Sequence, residues 1–301
     1  MVCSMIQSHT ALPTAILGPG LLGGSLALAL RKKDPHADVR IWARRENAAA
    51  DLRARCLATV VTTSIAEAVA GAGLVVLATP VETMPGLARQ IAACDVAPGC
   101  VVTDVGSVKG TVVRALDEIF TGTRVQFVGS HPMAGSEKSG IEAAHADLFE
   151  GANCIVTPSG LSELAALDQV TQFWSSLGCR VLVMPPEEHD RKVARISHLP
   201  HLMAAVTTLA ALRSIPDAID CAGNGFRDTT RVAAGDPGLW KGILLDNNSE
   251  VVAALREALS TTRELLEIIE GLDEEKLRLF LAEAKSLRDR LLAGGSAYGN
   301  D

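Results

Sequence analysis

Along the first part of the chain, short runs of apolar residues alternate with stretches in which apolar positions recur at helical spacing. The runs fall at residues 14–17, 39–42, 74–78, 100–104, 126–129, 154–157 and 180–183. Several show no polar alternation, the mark of a strand buried on both faces of a parallel sheet. Strand and helix in regular alternation predict an α/β, doubly wound sheet with helices on both faces. Ser64 with Glu67 reads as a capping box that opens one of these helices, and Ser162 reads as the start of another.

Beyond Pro185 and Pro186 no strand-like run recurs, and the pattern stays helical to the end. Two domains are therefore expected, a sheet domain over residues 1–185 and an all-α C-terminal domain over 186–301. The first helix of the second domain, 187–213, contains Pro200. Its missing N–H predicts a kink where His198 and His201 sit. Further helices are predicted at 219–234, 237–246, 249–270 and 274–292. The stripe of Leu255, Leu259, Leu266 and Ile269 serves either an ordinary core or a subunit interface, the second of which makes the helical domain a dimerisation domain and the protein a homodimer.

Composition narrows the partners. The chain has 301 residues, 48% hydrophobic and 21% charged, with a net charge of −7. That balance argues against nucleic acid and membrane partners, whose binding draws on general positive charge. An anionic small molecule would need a locally basic site. The seven cysteines are scattered without a Cys-x-x-Cys pair and read as small hydrophobes in a reducing compartment. With no basic leader and no apolar run of membrane-spanning length, the expected location is cytoplasmic.

The sharpest local motif is Gly18-Pro19-Gly20-Leu21-Leu22-Gly23, set between the first strand and an Ala/Leu-rich helix. In a Rossmann-type unit the first glycine makes the tight turn, the second lets a pyrophosphate approach the backbone, and the third lets helix and strand pack closely. A nicotinamide dinucleotide is the expected cofactor. About twenty residues on, where an acid would hold the ribose hydroxyl of NAD, the sequence has Arg44 and Arg45. Two guanidiniums suit the 2′-phosphate of NADP, which is the favoured cofactor, with NAD as the alternative. Thr79 and Pro80, just past a buried strand, should line the same crevice.

Candidate chemistry gathers in four later segments: 103–110 with Ser107 and Lys109, 129–140 with His131, Glu137 and Lys138, 197–201 with His198 and His201, and 225–240 with Arg231 and Trp240. Ser107 and His131 are expected just past strand ends of a parallel sheet, at the edge where cofactor and substrate meet. Gly129, Pro132 and Gly135 around His131 predict a loop histidine, either a general base or a structural turn residue. His198 and His201 are spaced like metal ligands, but no zincin glutamate or acidic cluster completes a site, and no metal is expected. His189 with Asp190 reads as a structural link near the hinge, and Trp240 as core or pocket wall.

At these segments the chain resembles the prephenate and arogenate dehydrogenases of tyrosine biosynthesis, and the likeness runs in order from Gly18 to beyond Trp240. The resemblance implies oxidative decarboxylation of prephenate to 4-hydroxyphenylpyruvate with hydride transfer to NAD(P)+, or of arogenate to tyrosine. It implies that His131 takes the proton of the ring hydroxyl, that Ser107 orients it, and that Arg231 grips the ring carboxylate. By the same likeness His201 and His198 bond the substrate side chain, while Lys109, Glu137 and Lys138 shape the mouth of the cleft. Imine reductases and β-hydroxyacid dehydrogenases also join such a sheet to a helical domain, but lack the His131 and 197–201 segments as written here. A redox-sensing protein that holds dinucleotide without chemistry would not need Ser107, His131 and Arg231 together.

Overall fold

The computed structural model describes residues 13–135 and 140–296. Six strands, β1 (Thr14–Leu17), β2 (Val39–Trp42), β3 (Val60–Thr62), β4 (Leu74–Leu77), β5 (Val101–Asp104) and β6 (Gln126–Phe127), form one parallel sheet in the order β3-β2-β1-β4-β5-β6. The order reverses between β1 and β4, and the crevice beyond the carboxyl ends at such a reversal is where doubly wound sheets hold ligands. Along β1 the side chains alternate between two cores. Ile16 joins one with Leu26, Ile41, Val76 and Trp174, while Ala15 and Leu17 join the other with Val75, Leu87, Val102 and Leu116. Helices α1 (Leu21–Lys33) and α6 (Leu164–Ser176) cover the first face; α4 (Met84–Ala92) and α5 (Gly110–Phe120) cover the second. Two shorter helices, α2 (Glu46–Ala54) and α3 (Ile65–Val69), follow β2 and β3.

The single sheet expected from the sequence is in fact two. The run at 126–129 splits, and β7 (Gly129–Pro132), β8 (Asn153–Thr157) and β9 (Arg180–Val183) make a separate three-stranded sheet. There β7 is antiparallel to β8, and β8 is parallel to β9. Gly129 permits the crossing, since an added Cβ would lie 2.5 Å from Thr157 Oγ1 and 2.9 Å from Val113 Cγ2. Strand β3 was not expected: only Thr62 of its three residues is buried, so it leaves little apolar signal. At α3, Ser64 Oγ accepts from Glu67 N at 3.3 Å, but the Glu67 carboxylate binds the Thr62 hydroxyl, so only half of the capping box forms. Ser162 does not open α6; its hydroxyl bonds Phe127 O at 3.2 Å and the helix starts at Leu164.

The two sheets are clamped at one buried point. Asp104, at the end of β5, accepts from Gly106 N at 2.8 Å, from Ser130 N of β7 at 3.1 Å and from the Lys109 ammonium. Lys109 also donates to Ser130 O at 2.9 Å, and both charged residues are 0% exposed. Lys109 is therefore buried, not at the mouth of a cleft where the family resemblance puts it. Its ammonium is drawn inward because the buried carboxylate needs a counter-charge. Trp174 Nε1 donates to Ser130 Oγ at 2.9 Å, which fastens α6 to the same strand.

The predicted helix at 187–213 is continuous but not uniform. It runs as α7 (Pro186–Val193), a π-helical turn (Ala194–His198) and α8 (Leu199–Leu212). Pro200 offers no N–H to the ladder, and the helix takes the wider turn just before it. The predicted helix at 219–234 breaks at Gly223 into 3₁₀ turns, Pro216–Cys221 and Arg231–Ala234, flanking α9 (Asn224–Thr230). Helix α10 (Pro237–Asp246) matches its expected span and is capped by Asp236, whose carboxylate accepts from Leu239 N at 2.7 Å. The chain divides into two compact units, Met1–Asn248 and Ser249–Asp301. The second holds nearly all of α11 (Asn248–Glu270) together with α12 (Glu274–Ser296), and Leu259, Leu266, Ile269, Leu279 and Leu287 are exposed on it. No helix among the described residues is long and apolar enough to cross a membrane.

Replacing Lys109 with methionine leaves the Asp104 charge buried without compensation, so unfolding in urea should show a loss of about 3–5 kcal/mol. Adding Asp104→Asn should recover much of that loss. A single-variant loss under about 1 kcal/mol, the value of an exposed pair, would mean that the clamp holds nothing.

Candidate active site

The turn from β1 into α1 is shaped by glycine where geometry demands it. Gly18 has φ +114°, and a Cβ there would lie 2.4 Å from Ala78 O; a Cβ on Gly23 would lie 1.9 Å from Gly18 O. Gly20 differs, because an added Cβ meets nothing within 4 Å. No atom of the described residues demands glycine at Gly20, and its open flank fits the close approach of a pyrophosphate. Helix α1 begins at Leu21 with no acidic residue in its first turn and no side chain bonded to its leading N–H groups, as an anion site requires. Thr79 and Pro80 follow β4, and Thr79 Cγ2 would lie 2.8 Å from the Gly18 Cβ, so Thr79 flanks this turn. Arg44 and Arg45 stand exposed beyond β2 at the start of α2.

His131 sits inside β7, paired with Ile155 of β8, and not on a loop past a parallel strand. Gly129 and Pro132 read locally as turn signals, but β7 is a short edge strand that tolerates them. Its Nδ1 lies 2.9 Å from His189 Nε2, and His189 Nδ1 lies 2.8 Å from Asp190 Oδ1. Asp190 in turn accepts from Lys109 N and Gly110 N, each at 2.8 Å, at the N-terminus of α5. A carboxylate only accepts, so His189 carries its proton on Nδ1 and receives at Nε2. His131 then donates from Nδ1, which leaves Nε2 as a free lone pair.

The electrostatics keep that lone pair available. Burial, reinforced by His189, Lys109 and His198 nearby, holds the His131 imidazole well below the usual histidine value. His189 is lowered by burial too, against the pull of Asp190. Burial alone would raise Asp190, but hydrogen bonds from His189 and from the Lys109 and Gly110 amides keep it below the ordinary carboxylate range. The result is a neutral imidazole aligned by a buried anion, the arrangement of a general base.

A second group gathers along the π turn and α8. His198, 1% exposed, receives Asn247 Nδ2 at 3.3 Å on its Nδ1 and is lowered by burial to about 4. His201 stacks on Trp240 with ring centroids 3.5 Å apart and planes at 10°, and it hydrogen-bonds to the Val232 backbone. Gly235 makes room for the stack, since a Cβ there would lie 2.4 Å from Trp240 Nε1. Buried Nε2 of His198 and Nδ1 of His201 have no hydrogen-bond partner among the described residues. Two desolvated imidazole nitrogens in one place are what a polar ligand would satisfy.

A family model described as prephenate dehydrogenase, nucleotide-binding domain, matches residues 26–183, and one described as prephenate dehydrogenase, dimerization domain, matches residues 185–283. The chain belongs to the prephenate dehydrogenase family. Within this family it is 35% identical over 280 residues to the prephenate dehydrogenase of Bacillus subtilis (strain 168), an overlap of 92% of this chain and 75% of that protein. A crystal structure of prephenate dehydrogenase from A. aeolicus in complex with hydroxyphenyl propionate and NAD+ superposes with a TM-score of 0.87 at 33% identity, covering 95% of this chain and all of that one, 100%. Synechocystis arogenate dehydrogenase gives a TM-score of 0.80 at 26% identity, over 93% of this chain and 100% of its own. As a prephenate dehydrogenase family member the chain is an oxidoreductase with a nucleotide-binding domain for a nicotinamide cofactor.

Of the residues singled out from the sequence, the fold places His131 in the relay, and His198, His201 and Trp240 in the second cluster. Ser107 is half-buried in the loop after Asp104, between the amides of Gly106 and Lys109 that the buried carboxylates hold. Arg231 is exposed at the junction of α9 and the following 3₁₀ turn, next to the Val232 backbone that bonds His201. Glu137 and Lys138 lie outside the described residues. Reading the sequence missed the roles of Asp104, His189, Asp190 and Asn247. His189 and Asp190 were noticed as a pair, but their partner His131 is 58 positions away, a link no local pattern reveals.

Since a base must be neutral to act and burial holds His131 well below 6.5, activity should persist as pH falls through 6.5 and fail only at lower pH. The kcat/KM profile should therefore show an acid limb with an apparent pKa below 6.5. An acid limb near or above neutrality would exclude His131 as this base.

Proposed function

We propose that this protein oxidises and decarboxylates prephenate, with NADP as the preferred cofactor, and that the reaction turns on the line Asp190–His189–His131. The observation that carries the reading is the 2.9 Å and 2.8 Å pair of contacts that leaves His131 Nε2 unprotonated. A bound nicotinamide, held through Gly18, Pro19, Gly20, Leu21, Leu22 and Gly23 with Thr79 and Pro80, supplies the acceptor for hydride from the carbinol carbon. His131 Nε2 takes the proton of the ring hydroxyl as that carbon becomes a ketone, while Ser107 orients the hydroxyl. Arg231 holds the ring carboxylate through a forked pair of hydrogen bonds. Departure of this carboxylate as CO2 aromatises the ring, and the imidazolium returns its proton to the phenolate oxygen. His198 and His201 bind the side chain, Trp240 walls the pocket, and Glu137 and Lys138 contribute at its entrance.

Arogenate is the second substrate to test, because the similar Synechocystis structure is an arogenate dehydrogenase. Domain boundaries at 1–185 and 186–301, a homodimer through the helical domain and a cytoplasmic location complete the proposal. The description of the model matching 185–283 as a dimerization domain, and the exposed leucines of α11 and α12, support the dimer. The free cysteines are consistent with a reducing compartment.

With prephenate and either cofactor, His131→Ala should lower turnover by roughly 10²-fold to 10⁴-fold while cofactor binding is kept. Arg231→Ala should act mainly on the prephenate KM, by roughly 10-fold to 100-fold, the worth of a charge-assisted pair. Wild-type turnover in the first variant, or no oxidation of prephenate or arogenate by the parent protein, would sink the assignment.

For the cofactor, Arg44→Ala combined with Arg45→Ala should raise the KM for NADP by about tenfold or more and leave that for NAD nearly unchanged. Equal effects on both would argue for NAD.

A further inference from the structure

Asn247 closes α10 and is 3% exposed. Its Nδ2 lies 2.9 Å from Asp190 O and 3.3 Å from His198 Nδ1. A backbone carbonyl only accepts, so the end of the Asn247 amide facing Asp190 is the NH2 group. The same nitrogen faces the His198 ring, and an amide NH2 has no lone pair to offer. His198 Nδ1 must then be the accepting nitrogen, and a neutral His198 carries its proton on Nε2. Burial disfavours the charged ring, in which both nitrogens would be protonated. The Nε2–H donor is itself buried and has no acceptor among the described residues.

From this geometry we infer that Asn247 is a positioning residue, which fixes His198 as an Nε2–H donor for an oxygen of the substrate side chain. The inference rests on the proposed oxidation of a prephenate-like substrate and adds a residue the sequence did not single out. Asn247 also spans the two clusters, because the carbonyl it holds belongs to Asp190, the anchor of the His189–His131 relay. Binding of the side chain and alignment of the base thus share one hydrogen-bonded residue. A carboxylate in its place would reverse the demand: it only accepts, so it would draw the His198 proton to Nδ1 and strip Nε2 of its donor.

The test combines spectroscopy with kinetics. In protein labelled with 15N at its seven histidines, long-range 15N–1H correlations report each tautomer, and His198→Gln assigns the His198 signal by its loss. The expected result is a neutral His198 protonated on Nε2, shifting to Nδ1–H in Asn247→Asp. That variant should raise the prephenate KM about tenfold, the worth of one hydrogen bond, and should lower kcat as well, because a carboxylate cannot donate to Asp190 O. In a His198→Gln background, where the amide donor does not depend on a tautomer, Asn247→Asp should change KM by less than about twofold. An Nδ1–H tautomer in the parent protein, an unchanged KM in Asn247→Asp, or an equal KM effect in the His198→Gln background would each overturn the inference. If neither prephenate nor arogenate is oxidised, the proposed function falls, and the tautomer measurement still decides the role of Asn247.

Discussion

Two buried carboxylates hold the loop between β5 and α5 from opposite ends. Asp104 takes the amides of Gly106 and Ser130, and Asp190 takes those of Lys109 and Gly110. Ser107 lies between, so its backbone has little freedom left. Each carboxylate has also found a cationic or polar side-chain partner, Lys109 for Asp104 and His189 for Asp190. Buried anions satisfied by several donors are rigid, because loosening any contact exposes a desolvation cost of about 1–3 kcal/mol or more. The site is built on this constraint: the end of the parallel sheet, the second sheet and the first helix of the C-terminal segment all meet there.

His131 gains its chemistry from the same network. On its own a histidine side chain can adopt either neutral tautomer and titrates near neutrality. Here the chain of acceptors starting at Asp190 selects one tautomer, and burial removes the competition from protonation. Lys109 contributes twice, once as the counter-charge of Asp104 and once as a nearby positive charge that keeps the histidine neutral. The cation expected at a cleft mouth thus works from inside the protein. Its influence there is greater, because charges in a desolvated interior are less screened.

At the cofactor end the controlling fact is steric. Gly18 and Gly23 are required by backbone atoms of this chain, and Gly20 by none among the described residues. The contrast separates glycines that build the turn from the one whose open flank suits a phosphate. On the helical side, the π turn before Pro200 resets the phase of the helix, so that His189 turns toward β7 while His198 and His201 meet Asn247 and Trp240.

The sequence by itself determined the doubly wound sheet, the turn glycines, the helical texture after Pro186 and the family, because these rest on local periodicity, steric demand and motif order, all of which are written in short stretches of chain. It also marked His131, His198, His201 and Trp240 as chemistry-bearing. It misplaced His131 on a loop and Lys109 on a surface, merged two sheets into one, and passed over Asn247 and the full role of Asp190. Those features are decided by contacts between residues far apart in the chain, in a desolvated interior where each polar group must find a partner wherever the fold brings one. Which nitrogen of a histidine holds the proton depends on such partners, and only the tertiary structure supplies them.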